Sequence, residues 1–164
     1  IIWAARKGIA TGNESPDRSH IIANHITIDA QELKVYPAFV RELIAPTPSG
    51  CIVIGGTSAG VAAFFGRRFI GQGANFRVED NILAGNPKHG ISLVDSPEPE
   101  SYGPPTPNTS HANIITRNDF TQLNADWDIS LGASTHDNLI ADNVGAELIF
   151  REAGDKDRNT VRTD

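Results

Sequence analysis

The chain has 164 residues, with 14 Lys and Arg against 20 Asp and Glu, a net charge of −6, one cysteine and no methionine. That length suits one hydrophobic core and is short for two. The negative field disfavours a polyanion such as nucleic acid, Cys51 alone can form neither an intramolecular disulfide nor a thiolate metal cage, and no apolar run approaches the ~20 residues of a spanning helix. A soluble single domain over 1–164, without nucleic-acid or membrane partners, is therefore expected. Because Ile1 opens a chain without Met, an initiating segment is expected upstream, and the chain reads equally as a piece of a longer array.

In chain order, the first recognisable unit is Ile21-Ile22-Ala23-Asn24-His25-Ile26. Residues 29–49 follow as an insertion in which Tyr36, Phe39 and Leu43 suit a short helix or lid. Gly50-Cys51-Ile52-Val53-Ile54 reads as a strand, and 55–73 as a helix or a degenerate repeat. The first unit returns as Phe76-Arg77-Val78-Glu79-Asp80-Asn81-Ile82-Leu83, followed by a short strand, Gly90-Ile91-Ser92-Leu93. Five prolines between 94 and 109 mark a loop, because proline supplies no ladder donor.

The second half is more regular. Asn113-Ile114-Ile115-Thr116-Arg117-Asn118-Asp119-Phe120, Asn138-Leu139-Ile140-Ala141-Asp142-Asn143 and Asn159-Thr160-Val161-Arg162-Thr163-Asp164 repeat at intervals of roughly 21 to 25 residues. Between them lie Asp128-Ile129-Ser130-Leu131 and Glu147-Leu148-Ile149-Phe150. Apolar residues alternating over three to five positions between Asn, Gly and Asp predict short strands, each with one buried face. Two or three such strands per repeat are what one coil of a solenoid requires. The anchor Asn24, Asn81, Asn118, Asn143 would stack at about 4.8 Å as a hydrogen-bonded ladder, in a turn whose left-handed backbone asparagine tolerates. The Ile or Val beside each anchor, namely Val78, Ile115, Ile140 and Val161, should then form one inward column.

The motifs Asn-x-Ile-x-x-Asn-x-Phe and Gly-Ile-x-Leu, as they stand above, resemble the right-handed parallel β-helix, pectate-lyase-like superfamily, over 74–164 closely and 1–54 loosely. The resemblance implies an all-β, right-handed parallel β-helix of about five to seven coils with loop or short helical insertions. It further implies an anchor asparagine between the second and third sheets, the Gly-Ile-x-Leu strand in the first sheet, and an extracellular or periplasmic location. The sequons at Asn13 and Asn108 suit such a location. For activity it implies polysaccharide binding, with a polysaccharide lyase or glycoside hydrolase as the enzymatic form. A non-catalytic surface or fibre module that self-associates through open coil ends is the alternative.

Aligning Ile91 with Ile129 and Leu148 gathers the candidate site. His89, Asp128, Glu147 and Arg151 would be its catalytic groups, and Trp127, Asp126, Ser92 and Ser130 its substrate contacts. Trp127 offers a flat face to a sugar ring, the carboxylates suit acid–base work or Ca²⁺, and arginine can neutralise a uronate. β-Elimination would use Arg151 or Lys88 as base. Three other patterns weigh less. Asp80, Arg117 and Asp142 alternate in sign as cross-strand pairs would. His111, His136 and Asp157 fit packing better than a metal site, so no metal ligand is assigned. Gly56-Thr57-Ser58-Ala59-Gly60 has the letters of a nucleophile elbow without its strand-turn-helix setting.

Overall fold

The computed structural model describes residues 1–4, 7–10, 19–29, 50–54, 73–93, 110–132, 135–151 and 158–162. All the elements described are strands: β1 (Ile2–Ala4), β2 (Lys7–Ala10), β3 (His20–Ile22), β4 (His25–Ile28), β5 (Gly50–Ile54), β6 (Arg77–Glu79), β7 (Ile82–Gly85), β8 (His89–Leu93), β9 (Ile114–Thr116), β10 (Asp119–Leu123), β11 (Trp127–Leu131), β12 (Leu139–Ala141), β13 (Ile149–Arg151) and β14 (Thr160–Val161). Over the described residues the fold is all-β and the strand pairings are parallel. The segments expected to form a lid, a degenerate repeat and a proline-rich loop lie outside the described residues, apart from Asp29 and Gly73 at their borders, and so do Asp157 and Asp164.

The strands fall into three sheets. The first runs β2-β5-β8-β11-β13, the second β3-β6-β9-β12-β14 and the third β1-β4-β7-β10. From β1 to β12 successive strands visit the third, first and second sheets in turn; each of β1 to β9 pairs with the strand three places later, whereas β11 pairs with β13 and β12 with β14. After β12 the third-sheet position is held by Val144, which bridges to Asp119. Gly-Ile-x-Leu falls in the first sheet, and the anchor asparagines lie between second-sheet and third-sheet strands.

Register places identical chemistry over itself. Ile21, Val78, Ile115, Ile140 and Val161 are consecutive partners in the second sheet. Ile9, Ile52, Ile91, Ile129 and Ile149 are consecutive partners in the first. Ile52, Ile91, Ile115, Ile129 and Val78 are wholly buried in one core cluster with Ile26, Ile28, Leu83 and Phe120. Full burial of such a side chain stabilises by about 1.5–3 kcal/mol. Because side chains alternate, a one-residue slip would turn each column out to solvent, so the core itself enforces register. The third sheet departs from this regularity at β10, where register shifts between Asp119 and Gln122.

Short strands leave many turn amides to satisfy, and among the described residues two columns of asparagine do this. In the expected ladder, the Asn24, Asn81 and Asn118 side chains donate to the Oδ1 of the next anchor at 3.0, 2.8 and 3.0 Å. Their backbone amides donate to the same oxygens at 3.0–3.1 Å. A second ladder, not anticipated, runs through Asn113, Asn138 and Asn159, with side-chain bonds of 2.8 and 2.7 Å. The Phe76 amide donates to the Asn113 Oδ1 at its near end. Each Nδ2 also reaches a backbone carbonyl, as Asn118 does to Val78 at 2.9 Å. Asn81, Asn113 and Asn118 are wholly buried, where a lost partner is expensive.

The left-handed backbone belongs to the residue before the asparagine and not to the anchor itself. Ala23, Asp80, Arg117 and Asp142 have φ of 54–57°, and Asn75, Ala112 and Asp137 form a second such column at 54–60°. The turn is made one residue early, which leaves each asparagine placed to reach along the stack. For a residue with a Cβ this conformation costs roughly 1–2 kcal/mol. Arg117 recovers part of that by gripping Asp80 with two bonds of 2.8 and 2.9 Å, and its guanidinium holds the Asp80 carboxyl below its ordinary value. Glu79, nearly buried, lies 2.9 Å from Arg77 and 3.5 Å from Arg117.

Two substitutions test these turns. Asn118→Asp puts an oxygen where Nδ2 meets the Val78 and Thr116 carbonyls and the Asn143 Oδ1; denaturant titration should show a loss of about 3 kcal/mol or more. Ala112→Gly relieves the left-handed alanine and should raise stability by about 0.5–1 kcal/mol. A fall in the denaturation midpoint would contradict the second expectation.

Candidate functional site

The candidate residues sit on β8, β11 and β13 and on the segment entering β13. His89 pairs in register with Trp127, Ser92 with Ser130, and Leu93 with Leu131. The first-sheet alignment of the last strand needs correction, because Ile129 pairs with Ile149 and not with Leu148. The cause is Asp128. Its Oδ2 accepts the backbone amides of Glu147 and Leu148 at 2.9 and 2.8 Å, while the Leu148 carbonyl accepts from the amides of Asp128 and Ile129. With both residues held this way, Ile149 joins the isoleucine column, Leu148 is left 49% exposed, Phe150 stands opposite Ser130, and Arg151 stands opposite Leu131.

The shift sorts the eight candidates. Asp128, His89, Ser92 and Ser130 are all buried. Asp128 is engaged as an anchor for the chain's return, with a charge-assisted pair of bonds. Asp126, Glu147 and Arg151 are exposed, and Trp127 is half-buried. Trp127 meets Phe150, a residue that sequence reasoning did not select, with ring centroids 5.1 Å apart and planes at 39°. The apolar run from 148 to 150 contained that signal, but a strand of three residues accommodates two registers equally well.

Gly90, between His89 and Ile91, is required by close approach. A Cβ there would lie 2.5 Å from the Asp128 carbonyl oxygen and 2.9 Å from Phe120. The glycine thus lets the first sheet close onto the third beside the candidate site. Cys51, elsewhere in the same sheet, has its thiol pushed up to about 12 by burial, so it is an inert core thiol.

Among the described residues no three His, Cys, Asp or Glu side chains are grouped to hold a metal ion. His111 and His136 stack with centroids 5.0 Å apart and planes within 9°, and His136 Nδ1 lies 2.7 Å from the Asp137 carboxylate. The two histidines are bridged rungs stacked on each other, and Asp157, the third member of that pattern, lies outside the described residues. The serine of the elbow-like Gly56–Gly60 stretch lies outside the described residues.

His89 combines burial with an Nδ1 that has no hydrogen-bond partner among the described residues. Desolvation, reinforced by Lys88 and opposed by Asp126, lowers its pKa from 6.5. Just below that value the unfolded chain then binds more protons than the folded one. Stability contributed by neutral His89 is whole above 6.5 and falls as pH drops toward the lowered folded value. Urea midpoints measured across this range should fall with acidification in the native protein, and His89→Gln should flatten that part of the curve. An unaltered slope would assign the effect elsewhere. Compared with protein-family models, with curated proteins and with solved structures, the chain matches none.

Proposed function

We propose that the three sheets are the faces of one right-handed parallel β-helix of the pectate-lyase-like type, acting outside the cytoplasm, which binds a polysaccharide along its first sheet without cleaving it. The observation that carries this reading is the Trp127–Phe150 aromatic pair, bordered in sequence by the exposed Asp126, Glu147 and Arg151. Aromatic faces take the apolar side of a pyranose, and flanking charged groups take its hydroxyls or a uronate. The cyclic strand order and the two asparagine ladders support the solenoid.

Binding is favoured over cleavage because Asp128, the most central carboxylate, already holds two backbone amides. A general acid or base must instead reach a proton on the substrate. Ca²⁺ remains part of the proposal only through the exposed Asp126 and Glu147, whose oxygens suit a hard cation. The second reading is a scaffold module that self-associates. It draws on Val144, Leu148 and Phe150, which are 59, 49 and 37% exposed on the last circuit.

Calorimetric titration against neutral and acidic polysaccharides, with and without Ca²⁺, tests the reading. At least one glycan should bind, and Trp127→Ala or Phe150→Ala should each weaken binding severalfold to about tenfold. No reducing or unsaturated ends should be released. Binding unaffected by both substitutions removes the site, and concentration-dependent assembly without glycan binding favours the scaffold.

A further inference from the structure

We infer that the outer side of the second sheet carries a separate binding hollow for a small carboxylate-bearing ring compound, such as a sugar acid, between His20, Arg77 and Ile114. The three residues are consecutive register partners on β3, β6 and β9. They lie one position before the inward Ile21, Val78 and Ile115, so they stand on the opposite face of the same strands. Together with Asn75, Phe76 and Ala112 they line an open depression of about 300 Å³, at the small end of ligand-sized pockets.

The hollow has a specific origin in the turn preceding these strands. Asn75, Ala112 and Asp137 occupy the same left-handed position in three successive circuits. Only the middle one is an alanine, and its missing bulk opens the space. Ala112, Phe76 and Ile114 give that space an apolar wall.

Arg77, paired with Glu79, and His20 supply its polar rim. Arg77 gives Nε and Nη2 to a single oxygen of Glu79, at 3.0 and 2.9 Å. A guanidinium has five N–H donors, so among the described residues further donors remain for a carboxylate. A ring with one carboxylate meets both halves of the hollow, whereas a neutral ring meets only the apolar wall. The site is on a different sheet from the Trp127–Phe150 pair and does not depend on it.

Amide-detected NMR titration of the intact chain with glucuronate, and with methyl glucoside as the neutral control, tests this inference. Glucuronate should shift resonances of residues 75–77, 112 and 114 with millimolar affinity, and methyl glucoside should not. Arg77→Gln should weaken binding by about tenfold or more. Ala112→Asp fills the hollow with bulk and negative charge and should abolish binding. That variant is expected to fold, because Asp80, Asp137 and Asp142 already occupy this backbone conformation at φ 54–57°, and an unchanged spectrum elsewhere verifies it. Equal shifts with methyl glucoside, shifts confined to other residues, no shifts at all, or binding retained in folded Ala112→Asp would each overturn the proposal.

Discussion

The structure depends on the hydrogen bond from one asparagine side chain to the next. Strands of two to five residues make few ladder bonds each, and a chain that turns so often would leave many buried amides without partners. Asparagine carries both a donor and an acceptor beyond its backbone. At the inner rungs Asn81, Asn118 and Asn138 its Oδ1 takes two amide groups from the preceding rung while its Nδ2 gives to a carbonyl and to the following rung. The bond is worth little alone and much in series, because each buried member fixes the next and a missing member strands groups on both sides.

This constraint explains the order of the remaining features. Ladders hold the turns in step, so the isoleucine columns coincide in one core cluster. The left-handed residue before each asparagine sets the angle at which the side chain leaves the turn, and it recurs at Ala23, Arg117 and Asp142 despite their unlike side chains. Sequence at that position is therefore free to vary, which is why Arg117 can form an ion pair there and Ala112 can leave a hollow.

Much of the fold was legible because its signal repeats. Asn-x-Ile-x-x-Asn recurs with the isoleucine in one column, and the expected column of Val78, Ile115, Ile140 and Val161 is the one observed. The first asparagine of the same motif was equally visible, yet its ladder went unread. Its rungs are Phe76, Asn113, Asn138 and Asn159, and the phenylalanine at the near end breaks the letter pattern while its amide keeps the bond. The left-handed backbone was assigned one residue late, since composition points to asparagine and a turn occupied by Ala, Arg and Asp carries no common side-chain signature.

The candidate site was less legible. Which of Leu148, Ile149 and Phe150 faces inward cannot be read from three consecutive apolar residues, and the choice is made by a carboxylate on the neighbouring strand. That choice took Asp128 into the scaffold and brought Phe150 to Trp127. Native-state hydrogen exchange of the asparagine side-chain amides measures the governing interaction most directly. Nδ2 protons of Asn81, Asn113, Asn118 and Asn138 should exchange only as slowly as global unfolding allows, with those of Asn24 faster at the exposed rung. Exchange of the four at free-amide rates would show that the ladders do not hold the chain together.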